Sequence, residues 1–118
     1  MNNPRSLAEE IANILDEKKA GDVVILDISR LTVVADYFVI ASGRSEIQVK
    51  ALYDELDRRM AEAGVAARHV DGAQSGRWIA VDYGDVIVHI FHHEERAFYN
   101  LERLWADARH QKLSSEPQ

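Results

Sequence analysis

The stretch Gly76-Arg77-Trp78-Ile79-Ala80-Val81-Asp82-Tyr83-Gly84-Asp85-Val86-Ile87-Val88-His89-Ile90-Phe91 constrains the fold of this chain more than any other. Two runs rich in β-branched and aromatic residues flank a short polar break with a glycine, the pattern of a β-hairpin. Gly84 suits the positive φ that such a turn requires, whereas Tyr83 there would be strained. A three-residue loop, Asp82-Tyr83-Gly84, with Gly84 as a bulge glycine, sets Trp78 opposite Val88, Ile79 opposite Ile87 and Ala80 opposite Val86. A two-residue loop, Tyr83-Gly84, slips the pairing by one. In either register both faces carry large apolar groups. Such a hairpin sits inside a sheet covered on both sides, or it offers one face to a partner.

The chain before the hairpin supplies the rest of a sheet and two helices. Ser6-Leu7-Ala8-Glu9 has the form of a capping box, with Leu7, Ile11, Ile14 and Leu15 on one helical stripe and Gly21 as the residue past its end. Val23 to Ile28 and Asp36 to Ala41 are apolar runs without alternation, which predicts strands buried on both faces. Leu31, Val33 and Val34 predict that the loop between them packs inward. A second box, Ser45-Glu46-Ile47-Gln48, opens a helix with Val49, Leu52, Tyr53, Leu56 and Met60 inside, closed by Gly64. Val65 to Val70 is a weak edge strand, and Asp71 to Gly76 a polar loop. After Phe91, the residues Phe98, Leu101, Leu104, Trp105 and Ala108 predict a third helix. The order α-β-β-α-β-β-β-α gives one α/β domain, with a mixed sheet of about five strands flanked by helices. That domain is expected over residues 1–110, with 111–118 a disordered tail.

Composition narrows the function. The 118 residues are 47% hydrophobic and 29% charged, the balance of a globular domain. The formal net charge is −6, and basic residues gather only in small groups such as Arg58-Arg59 and Arg109-His110-Gln111-Lys112. This is no electrostatic footprint for DNA, and it suits a basic protein partner; direct RNA contact is disfavoured and left open. Without cysteine there is neither a disulfide framework nor a thiolate metal site. No run approaches the roughly 20 apolar residues of a membrane span, and Glu9 and Glu10 break any signal-peptide pattern, so a cytoplasmic location is expected.

Candidate chemistry is thin. Ser42-Gly43-Arg44-Ser45 precedes a helix and could cradle a phosphate, but a turn and an N-cap call for the same residues. Asp82 and Asp85 could hold a divalent metal, yet a turn separates them and turns favour aspartate. They also form, beside Tyr83, an acidic-aromatic knuckle suited to a basic partner. His89, His92 and His93 with Glu94 and Glu95 resemble a metal cluster, but they straddle a strand-to-helix junction and are better read as ordinary boundary residues. No nucleophilic triad is present. Catalytic, cofactor and metal sites are therefore all expected to be absent. Trp78 stands between core packing and an interface role, while Trp105 falls on a helix stripe.

Several of these motifs together resemble one family. Asp36-Tyr37-Phe38-Val39-Ile40-Ala41-Ser42-Gly43, Gln48-Val49-Lys50-Ala51, Gly76-Arg77-Trp78-Ile79, Asp82 through Phe91, and Tyr99-Asn100-Leu101-Glu102-Arg103-Leu104-Trp105 are similar to the Iojap-related ribosomal silencing factor (RsfS) family. The match runs from about residue 6 to 108. Asp71-Gly72 stands where a Glu-Gly pair is usual, and Ala67 near a common proline position. The resemblance implies a nucleotidyltransferase-like fold without transferase activity. It also implies binding to ribosomal protein L-fourteen on the large subunit, so that small-subunit joining is blocked and translation falls when nutrients are scarce. A homodimer is implied too. Carried onto this chain, Trp78 and Tyr83 become apolar anchors, Asp82 and Asp85 partners for basic side chains, and His89 and Phe91 further contacts. The alternatives are a metal-dependent nucleotidyltransferase using Ser42, Ser45, Asp82 and Asp85, and a general dimeric scaffold.

Overall fold

The computed structural model describes residues 3–104 and 109–112. Its elements are α1 (Pro4–Glu17), β1 (Gly21–Asp27), β2 (Tyr37–Gly43), α2 (Glu46–Glu62), β3 (His69–Asp71), β4 (Trp78–Asp82), β5 (Val86–His92), α3 (His93–Tyr99), α4 (Leu101–Leu104) and β6 (Arg109–Lys112). The strands form one mixed sheet in the order β3-β4-β5-β2-β1-β6. Only β2 and β5 pair in parallel; the other neighbours are antiparallel. The sheet has six strands rather than about five. The added strand, β6, includes Gln111 and Lys112, which the sequence reading assigns to a tail, and pairs with β1 across Val24↔Lys112 to Asp27↔Arg109. Residues 113–118 lie outside the described residues.

Both long helices lie on one face. From α1, Ala8, Ile11, Ala12, Ile14 and Leu15 pack with Val49, Leu52, Leu56 and Met60 of α2 over Val23, Ile25, Val39, Ala41, Ile79, Val81, Val88 and Ile90. The opposite face carries a second cluster of Val24, Leu26, Ile28, Ala35, Phe38, Ile40 and Phe91, edged by the partly buried Trp78, Ile87 and Leu101. Strands β1, β2 and β5 are thus apolar on both faces, as the absence of alternation predicts.

Helix ends follow their local chemistry. The cap of α1 is Asn3, three residues before the predicted Ser6: its Oδ1 accepts from Ser6 N at 2.8 Å, and Pro4 takes a first-turn position where its missing N–H costs nothing. Glu9, freed from a capping role, pairs with Arg5 at 3.1 Å. Lys18 is the C-cap, Lys19 adopts a left-handed φ of 66°, and Gly21 already belongs to β1. Ser45 caps α2 as predicted, accepting from Gln48 N at 3.0 Å, and Gly64 at φ 83° follows its C-cap Ala63. The predicted third helix is broken. Asn100, left-handed at φ 49°, ends α3 and separates it from α4; Phe98 is exposed rather than buried, and Trp105 and Ala108 lie outside the described residues. The loop after β1 departs as well: Leu31, Val33 and Val34 point outward, Val33 being fully exposed.

The hairpin keeps its place and changes its register. Trp78 pairs with Phe91, Ile79 with Ile90, Ala80 with His89, Val81 with Val88 and Asp82 with Ile87, so neither predicted register holds. Tyr83 N still donates to Val86 O at 2.9 Å, which leaves Gly84 and Asp85 as the two central residues of the turn. Gly84, at φ 94°, occupies the first central position, where primed hairpin turns need a positive φ. The Asp82 carboxylate accepts from Gly84 N at 2.7 Å and holds the tip. Lengthening the first strand by two residues turns the Tyr83 ring onto the helix-covered face, where it is 7% exposed.

Candidate functional site

The face without long helices is centred on an aromatic group from three elements. Trp78 of β4 lies with its ring centroid 4.7 Å from Phe91 of β5, 4.9 Å from Tyr99 of α3 and 5.9 Å from His89 of β5. Cross-strand pairing brings Trp78 beside Phe91 directly and beside His89 on the diagonal, all on one side of the sheet. Phe91 is completely buried, whereas Trp78 is half-buried and Tyr99 is exposed. Trp78 is therefore both a packing residue and a surface residue. Its backbone is pinned by the preceding loop: Gly72, at φ 79°, lies so close that a Cβ there would collide with the Trp78 carbonyl oxygen.

His89 is held in one tautomer. The Trp78 indole can only donate, and its Nε1 lies 3.0 Å from His89 Nδ1, so the imidazole proton resides on Nε2. That Nε2 is buried without a hydrogen-bond partner among the described residues. The Phe38 ring meets the imidazole edge-on at 4.7 Å. Burial in this apolar setting pushes the His89 pKa down to about 4, so the ring is neutral at physiological pH.

The remaining predicted contact residues divide. Asp85 is exposed at the tip and Asp82 half-exposed, but Tyr83 faces the opposite side of the sheet, so the three form no single knuckle. Burial also raises the Tyr83 hydroxyl pKa, with smaller contributions from Asp57 and Tyr53. The two carboxylates do not converge as a metal pair requires: Asp82 is engaged by the tip backbone, and Asp85 belongs to the turn. His92 accepts from Glu94 N at 3.2 Å and caps α3, and His93 stacks on it at 4.6 Å. Among the described residues, no group of three or more His, Asp or Glu side chains could hold a metal ion.

Ser42, Gly43 and Arg44, without Ser45, border a polar depression of about 900 Å³ that also touches Lys19, Gln48 and His93. The polar atoms of this turn serve the fold. Ser45 Oγ caps α2, Gln48 Oε1 accepts from Arg44 N at 2.7 Å, and Ser42 Oγ donates to Gly21 O at 3.2 Å. Sequence reasoning missed the part played by Tyr99 and Leu101 in edging the Trp78 group. Nothing in a helical periodicity shows that Asn100 will turn the chain there.

The sequence model of RsfS, ribosomal silencing factor during starvation, matches residues 1–118. The chain belongs to the RsfS family. It is 43% identical over 104 residues to the ribosomal silencing factor RsfS of Halalkalibacterium halodurans, covering 88% of this chain and 89% of that protein. To the RsfS of Bacillus subtilis it is 42% identical over 106 residues, 90% of each chain. The chloroplastic Iojap protein of Arabidopsis thaliana is 31% identical over 113 residues, which span 96% of this chain and 47% of that one. A crystal structure from Bacillus halodurans superposes with a TM-score of 0.81 at 39% identity, over 92% of this chain and 99% of the other. A Chromobacterium violaceum structure gives 0.81 at 33% identity, over 96% and 89%. RsfS relatives thus share both the sequence and the mixed α/β fold.

Proposed function

We propose that this chain is a ribosome silencing factor. It binds the large ribosomal subunit through ribosomal protein L-fourteen, stands in the way of the small subunit and so represses translation under nutrient limitation. The observation that carries this reading is the half-exposed Trp78 group on a sheet face without a long helix, in a chain of the RsfS family. Tryptophan with a buried aromatic base is the kind of anchor on which interfaces concentrate their energy. Trp78, Asp82 and Asp85 make the contact. Phe91, His89 and Tyr83 are buried and act from beneath, the first two by fixing the Trp78 ring and Tyr83 by fixing the hairpin. The net charge of −6 favours encounter with a basic ribosomal protein. The mechanism is occlusion, since a domain of this size covers a surface comparable to a standard interface. The protein acts in the cytoplasm as one domain and rests as a homodimer.

Sucrose-gradient sedimentation with separated subunits tests the reading. The protein is expected to travel with large subunits and to reduce the joined peak when magnesium is raised. Trp78→Ala should weaken binding by about 2 kcal/mol, roughly thirtyfold. Because Trp78 also packs, Asp85→Lys serves as a second variant at an exposed turn and should weaken binding with an unchanged melt. Protein that stays at the top of the gradient refutes the proposal.

A further inference from the structure

Helix α3 partly covers the Trp78 ring while burying nothing of its own. None of its residues is buried, and Phe98 is 79% exposed. By contrast α1 buries Ala8, Ile11, Ala12, Ile14 and Leu15, and α2 buries Val49, Leu52, Leu56 and Met60. Topology puts α3 where it is. Strands β5 and β6 are separated in the sheet by β2 and β1, so the chain that leaves β5 must cross those two strands. It sets out on the face opposite α1 and α2, where the Tyr99 ring centroid lies 4.9 Å from that of Trp78 and Leu101 edges the second cluster.

The ties that hold α3 down are polar. Arg77, the residue before Trp78, pairs with Glu95 at 2.7 Å and Glu94 at 3.4 Å, and reaches Glu46 of α2 at 3.5 Å. Arg96 pairs with Glu102 at 2.7 Å across the left-handed Asn100, and donates to Gly21 O at 3.3 Å and Ser42 Oγ at 3.4 Å. The Arg77 pairs are open to solvent, so each contributes little and is screened by salt; Arg96, with its side chain 11% exposed, is the firmer tie. A helix this short does not persist on its own, and one without a buried face gives up little apolar contact when it lifts. Release of α3 therefore costs far less than unfolding the sheet beneath it.

We propose that α3 is a detachable cover latched by Arg77 and Arg96, and that the large subunit is bound by the form in which α3 has come away from Trp78. The proposal rests on Trp78 being the docking anchor and adds the regulation of that same site. With α3 down, the Tyr99 ring occupies part of the indole surface that a partner would bury. The apparent affinity is then the intrinsic affinity scaled by the fraction of molecules that are open. The contact is autoinhibitory, and its strength lies in four side chains, Arg77, Glu95, Arg96 and Glu102.

The test follows hydrogen exchange in the full free chain and measures its binding to purified large subunits at one fixed salt concentration. Residues 93–99 are expected to exchange faster than β5 and α2, and about fivefold faster again when salt is raised from about 0.1 M to about 1 M. Glu95→Gln with Glu102→Gln removes the shorter contact of each tie. That double variant should show the same acceleration at low salt and bind about fivefold more tightly, although two fewer carboxylates would by themselves weaken attraction to a basic partner. Tyr99→Ala takes the ring off the indole with no change of charge and should tighten binding as well. Protection of residues 93–99 equal to that of β5 and insensitive to salt overturns the proposal. So does weaker binding by Tyr99→Ala, which would make Tyr99 a contact residue, or a gain confined to the charge-changing variant. A wild type that binds no subunit overturns the silencing reading and with it the role given to the open form, while exchange in the free chain still decides whether α3 is a cover.

Discussion

His89 makes stability depend on pH between its ordinary and its buried pKa. Its folded pKa of about 4 lies below the ordinary 6.5, because burial disfavours the imidazolium. As pH falls, the unfolded chain takes up the proton first, so stability is complete above pH 6.5 and is lost as pH descends toward 4. With these two values the proton binds the unfolded state about 75-fold more effectively at pH 4.5, a loss of about 2.5 kcal/mol relative to pH 7.5. His89→Gln keeps an acceptor for the Trp78 indole and removes the titration. Urea unfolding of both proteins at pH 7.5 and 4.5 isolates the effect, since carboxylate contributions cancel in the difference. The variant is expected to be the less stable at pH 7.5, and the gap should close or reverse by about 2.5 kcal/mol at pH 4.5. A gap constant to within about 0.5 kcal/mol would show that the imidazole is solvated or partnered, and the account of the Trp78–His89 pair would fall.

Three further outcomes follow from the buried Tyr83 on the other face and from Gly72 in the loop before β4. Tyr83 carries a buried hydroxyl with no hydrogen-bond partner among the described residues, so Tyr83→Phe should leave stability at pH 7 unchanged or raise it by up to about 1 kcal/mol in a denaturant titration. Because burial raises the native phenol pKa, the wild type should lose stability relative to that variant above pH 10, by about 1.4 kcal/mol per pH unit. Gly72→Ala combines a positive φ with a Cβ driven onto the Trp78 carbonyl oxygen, and a thermal melt should register a cost of about 2 kcal/mol or more.

The legible parts of the fold are those with strong periodicity or a local chemical cue. The stripes of α1 and α2, the Ser45 cap, the Gly64 stop and the two-faced apolar strands all stand in the chain itself. Errors came where two local cues competed. Asn3-Pro4 outranks Ser6 as a helix start because proline is preorganised for the first turn. Gly84 satisfies the turn at its first central position rather than its last, which moved Tyr83 out of the tip and dissolved the expected knuckle. Of the candidate site, Trp78 was identifiable by its neighbours in sequence. Its link to Tyr99 depends on a left-handed Asn100, which no hydrophobic pattern reports. Outward-pointing Leu31, Val33 and Val34 were unreadable for a different reason: hydrophobicity predicts burial, whereas the backbone bonds between Ile28 and Asp36 set which way this loop presents its side chains.

Strand β5 has a position whose consequence is cooperative. It lies between β4 and β2, and it is the strand through which β3 and β4 hydrogen-bond to β2, β1 and β6. Its partners also come from opposite ends of the folding problem, a close hairpin on one side and a parallel neighbour across α2 on the other. Loss of β5 would leave two separate strand groups sharing one helical layer, each with a bare edge. The molecule therefore has no cheap partial opening through its middle. In a hydrogen-exchange measurement the amides of β5 are expected to be among the slowest, and those of the edge strands β3 and β6 among the fastest of the sheet.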